Sequence, residues 1–140
     1  MASYLFNLAK NAMLGDGLKW DDPSFNIMVM LLAGSDAESL VGATSIAEVE
    51  TLEVSGTGYS RVPLLGRTIG LSADATPAIS AMASPPVWAS LNVGRISGAA
   101  IYLDLEESSV PLVYVDFPDL TTNGGGISIE FPGGVVFKFN

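Results

Sequence analysis

Residues 98–117 read GAAIYLDLEESSVPLVYVDF, and they constrain the fold more tightly than any other stretch. Two apolar runs, 99–105 and 110–117, flank a short polar link. In the first, Ile101, Leu103 and Leu105 alternate with Ala100, Tyr102 and Asp104. In the second, Leu112, Tyr114 and Asp116 alternate with Val113, Val115 and Phe117. A period of two is that of a strand. The link, residues 106–109, has room for little more than a reversal of direction. The stretch therefore predicts an antiparallel hairpin at the centre of a β-sheet.

The rest of the chain is punctuated at short intervals by glycine and proline. Residues 3–14 have helical spacing, with Leu5, Leu8, Ala9, Ala12 and Met13 on one apolar face and Gly15 and Gly17 beyond its end. Trp20, Asp21, Asp22 and Pro23 mark a turn before a buried strand over 25–33. Ile46, Val49 and Leu52 are spaced for a short helix over 46–53. Residues 54–59, VSGTGY, read as a turn, because the lysine and the spacing of a phosphate-cradling loop are both missing. Strands over 60–65 and 67–72 suggest a hairpin around Gly66, and the small-residue stretch 73–84, with Pro77, reads as a loop. A strand carrying Trp88 follows at 87–91. After a turn at 118–126 come strands at 127–131 and 135–139. The sum is one mainly β domain over residues 1–140. It is expected to be an antiparallel β-sandwich or flattened barrel of seven to eight strands with one N-terminal helix at about 3–14.

Charge narrows the function. Only 15% of the residues are charged, against about a quarter in a typical soluble domain. The longest apolar stretch, 25–34, is far short of the roughly 18 residues a membrane span needs. An apolar chain of this kind is expected to be a subunit covered in part by neighbours, a homo-oligomer. The net charge is −9, and the six cations are scattered along the sequence. That argues against nucleic acid and against an anionic membrane as partners. Arg61 and Arg95 are expected to pair with carboxylates, within or between subunits. The N-terminal stretch lacks the basic start and unbroken apolar run of a signal peptide.

Histidine and cysteine are absent, which removes disulfides, thiol chemistry and the usual nucleophile–base pair. Glu106 and Glu107 sit in the polar link, where both are expected to be solvated. Asp104 and Asp116, if opposed across the hairpin, would repel unless a calcium ion bridged them. A second oxygen-rich grouping is Asp116, Asp119 and the carbonyls of 124–126. Neither has the spacing of a known calcium loop, so no catalytic residue, metal or cofactor is expected. Trp20, Trp88, Tyr4, Tyr59, Tyr102 and Tyr114 are candidates for a sugar-stacking face, although aromatics in a small sandwich are more often core. Candidate interface residues are Leu5 and Leu8 on the helix, Glu106 and Glu107 in the hairpin link, and Asp119 and Asn123 in the loop at the other end.

The order of these pieces resembles a family of small structural proteins of tailed-bacteriophage virions. The shared outline runs from the helix through Trp20-Asp21 and the apolar strand to SGTGYSR at 55–61 and LGRT at 65–68. It continues through the tryptophan strand, the pattern AA.IY.D followed by PL.Y.D at 99–116, and NGG.I.I.F at 123–131. Residues 74–86 depart from the outline. The resemblance implies a non-enzymatic role on the outer surface of the particle. The leading expectation is a capsid decoration or cement protein that contacts its own copies and the major capsid protein. Alternatives are a tail or fibre-base component and a carbohydrate-binding module of a receptor-binding apparatus.

Overall fold

The computed structural model describes residues 2–15, 17–34, 37–71, 79–105 and 108–139. The fold is mainly β, antiparallel and sandwich-like. A five-stranded sheet runs in the order β1 (Ala2–Leu5), β8 (Val110–Thr121), β7 (Arg95–Leu103), β2 (Ile27–Leu32), β3 (Val62–Pro63). A three-stranded sheet runs β10 (Val135–Phe139), β5 (Ile79–Met82), β4 (Thr68–Leu71), and β6 (Val87–Trp88) pairs with β9 (Ile127–Ser128).

The hairpin of β7 and β8 forms as expected and lies inside the larger sheet. Its burial goes further than alternation implied, because every residue of β7 from Ile96 to Leu103 is buried. Strands covered on both faces are selected for continuous apolar character rather than for one apolar row. The helices α1 (Asn7–Gly15), α2 (Ala37–Leu40) and α3 (Ile46–Glu50) lie against β8. Tyr114 is wholly buried, and a Cβ on Gly98 would lie 2.6 Å from its hydroxyl oxygen. Gly98 is therefore the residue that lets this tyrosine cross the strand beside it.

Several sequence expectations are corrected. The N-terminal helix does not begin at residue 3. Residues 2–5 form a strand on the edge of β8, with Leu5 opposite Val113, and the helix starts at Asn7. Pairing β8's free edge outweighs the helical spacing of Leu5. Strands 60–65 and 67–72 do not form a hairpin. β3 joins the five-stranded sheet and β4 the three-stranded one. The Arg67 guanidinium pins the corner between them by donating to the carbonyls of Trp20, Asp22 and Phe25, the last at 2.8 Å. Residues 79–82, expected to be loop, are the central strand of the smaller sheet, while 72–78 lie outside the described residues. β8 continues to Thr121, through residues read as turn, whereas strands 87–91 and 127–131 shrink to two paired residues each.

Candidate interaction surfaces

The segment SGTGYSR folds as structure rather than as a ligand loop. Gly58 has φ +81°, and a Cβ there would lie 1.7 Å from the Ser90 carbonyl oxygen. Only glycine lets this turn meet the 90–93 backbone so closely. The turn delivers Tyr59 and Arg61 to Glu53. Arg61 grips the Glu53 carboxylate with Nε and Nη2, each at 2.7 Å, and reaches Glu50 at 2.8 Å and the Tyr102 hydroxyl at 3.2 Å. Tyr59 donates to Glu53 and accepts from the Leu31 amide at 3.2 Å.

The charge states of this network are locked. Burial alone would raise the Glu53 pKa, but hydrogen bonds from Arg61 and Tyr59 outweigh it and hold the carboxyl below its ordinary range. Burial, with Glu53 as acceptor, pushes the Tyr59 phenol well above its ordinary value, and burial likewise raises Tyr102. The hydrogen bond to Glu53 raises Arg61. None of these four groups exchanges a proton near neutrality. The network is suited to tying α3 and the chain after it to β7, not to acid–base work.

The smaller sheet is open where the larger one is closed. Ile69, Ala81 and Phe137 share a row across β4, β5 and β10. They line a cleft of about 360 Å³ together with Met13, Leu18 and Trp20. Trp20 stands edge-on to Phe137 at 5.2 Å between ring centroids and donates to the Met82 carbonyl at 3.0 Å. Ile69 and Ile79 at the cleft remain 47% and 46% exposed. Beyond Phe137 the surface continues into a groove lined by Tyr4, Leu5, Lys10 and Lys138.

The sequence candidates fall in different places. Leu5, half-buried, lines this lysine-bearing groove. Leu8 lines a separate groove between α1, the start of α3 and the β7–β8 link. Glu106 and Glu107 lie outside the described residues. Asp119 is exposed and forms an ion pair with Arg95. Asn123 is exposed and accepts from the Gly125 amide at 3.2 Å. The described candidates thus do not gather in one groove. Both arginine pairs lie within one chain. Asp104 and Asp116 do not face each other: Asp116 sits opposite Gly98, and Asp104, at the far end of the hairpin, accepts from Asn26 at 3.1 Å. The second oxygen-rich grouping is likewise engaged internally, with the Gly124 carbonyl taken by Ser90 and that of Gly125 by the Leu91 amide. Among the described residues no three acidic side chains converge as metal ligands would.

Both tryptophans belong to the core. Trp88 donates to the Ser60 carbonyl at 2.8 Å, and neither indole is presented to solvent for stacking on a sugar. The exposed apolar row at Ile69 and Ile79 was missed by sequence reasoning. Ile79 fell in a stretch read as loop and Ile69 in an ordinary short strand. None of the described helices is long and apolar enough to cross a membrane. No family model, curated protein or solved structure matches the chain.

Proposed function

We propose that this chain is a non-enzymatic structural subunit of a bacteriophage virion, a decoration or cement protein on the outside of the head. The observation that carries the subunit reading is the open face of the smaller sheet. Two half-exposed isoleucines edge an apolar cleft backed by the buried Trp20 and Phe137, and a neighbour seated there removes both isoleucines from water. The virion assignment rests on the sequence resemblance. The charge of −9 suits an outward face, away from packaged DNA. A subunit that binds the assembled lattice and not free capsid protein stabilises the assembled state by mass action.

The test is co-sedimentation of the purified protein with expanded empty heads, and separately with released tails, of the phage that encodes it. Binding to heads is expected. Binding to tails alone moves the protein to the tail, and binding to neither overturns the virion reading.

A further inference from the structure

The charge of this chain is unevenly placed once the fold brings distant residues together. Of its six cations, Arg61 and Arg95 are held in ion pairs and Arg67 is spent on three backbone carbonyls. The three lysines are exposed and make no ion pair among the described residues. All three line one or other of two grooves that meet at Phe137. Lys19 edges the Trp20–Phe137 cleft, and Lys10 and Lys138 line the adjoining groove, with Phe137 common to both. Among the described residues, Asp21 is the one acidic side chain lining either of them. The chain has fifteen acidic residues, and with the lysines gathered here the rest of its surface carries a strong negative excess.

A second apolar groove, of about 420 Å³, has the opposite rim. Ile96, Phe117, Leu120 and Ile127 line it; Glu130 supplies an acidic group that is in no ion pair among the described residues, and Asp119 lies beside it, held by Arg95. Leu120 is 43% exposed. The two share no lining residue among those described. Each therefore offers what the other lacks: apolar surface at the centre and charge of the opposite sign at the edge.

We propose that copies of this chain associate by seating the acid-rimmed groove of one on the lysine-rimmed cleft of the next. The proposal rests on the reading of the chain as an assembly subunit, and it names the contact. A contact between two different faces builds a closed ring where the rotation closes and an open filament where it does not, or is made twice about a two-fold axis. It also explains how a chain of net charge −9 can self-associate, because like-to-like docking of either face would bring equal charges together.

The test is sedimentation velocity on the full chain and two charge-reversal variants, Lys10→Glu/Lys138→Glu and Asp119→Lys/Glu130→Lys, with circular dichroism as the check on folding. The unmodified protein is expected to associate at about 50 mM salt and at least tenfold more weakly at about 500 mM, where screening is stronger. Each variant alone is expected to stay monomeric. An equimolar mixture of the two is expected to associate, because each retains the face the other has lost and the reversed faces match as well. Association of either variant alone overturns the proposal, as does a mixture that stays monomeric or an unmodified protein that is monomeric at every concentration. A protein that is monomeric in solution yet binds heads leaves the virion reading standing and removes only this contact. If a variant fails to fold, Lys10→Gln/Lys138→Gln or Asp119→Asn/Glu130→Gln replaces it, with at least tenfold weaker self-association expected.

Discussion

The two main sheets use the same kind of strand for opposite ends. In the larger, β7 is hydrogen-bonded on both sides and buried on both faces, and Ile101 and Tyr114 have no solvent contact. In the smaller, Ile69 lies on the edge strand β4 and stays nearly half exposed. Edge position and covering separate them. The larger sheet has helices against β8 and a polar lock at Tyr102, whereas one row of the smaller borders an open cleft. The first region is built to hold its shape, and the second to be covered by something else.

That contrast is open to attack by substitution. Ile101→Ala removes buried methylene groups from the closed sheet and is expected to cost about 2–5 kcal/mol of folding stability by denaturant titration. Gly58→Ala is expected to cost about 2–4 kcal/mol, because the new Cβ meets the Ser90 carbonyl and the backbone is left-handed there. Arg61→Met leaves the partly buried Glu53 carboxylate without its strongest partner and is expected to cost about 1.5–3 kcal/mol. Ile69→Ala, in the open cleft, is expected to cost less than about 1 kcal/mol, since its side chain is already in contact with water. If Ile69→Ala proved as damaging as Ile101→Ala, the two sheets would not differ as described.

Acid sharpens the same comparison. The Glu53 pKa is lowered in the folded protein, so its contribution is complete above the ordinary value of about 4.5 and is lost as pH falls through the folded value. Stability is therefore expected to decline below about pH 4.5, and Glu53→Gln is expected to flatten that decline, measured as denaturation midpoints across the acid range. An unchanged slope in Glu53→Gln would show that the lock contributes nothing to acid sensitivity.

The hairpin was legible in the sequence because two apolar runs and a four-residue link have few other ways to fold. β10 was legible for a similar reason, as a short alternating run after a Pro-Gly-Gly turn. β1 was not, because Ser3, Tyr4 and Leu5 satisfy helical spacing as well as they satisfy a strand. What decided between the two was the free edge of β8, contributed by residues more than a hundred positions away. β5 was missed because Ile79-Ser80-Ala81-Met82 has little apolar contrast of its own and becomes a strand through pairing on both sides. Arg61 was expected to meet a carboxylate, but a spacing of eight residues to Glu53 shows nothing until the Gly58 turn folds the chain back. The lysines illustrate the limit most clearly. Residues 10 and 138 lie at opposite ends of the sequence and line one groove, and residue 19 edges the cleft that adjoins it.

Hydrogen exchange on the full chain, followed amide by amide at low and high protein concentration, tests the division most directly. The amides of β7 and of residues 112–115 of β8 are expected to be protected at every concentration, and those of β4, β5, β10 and residues 119–120 of β8 to gain protection as concentration rises. Concentration-independent protection of the smaller sheet, or exchange of β7 and residues 112–115 of β8 ahead of it, would contradict the account.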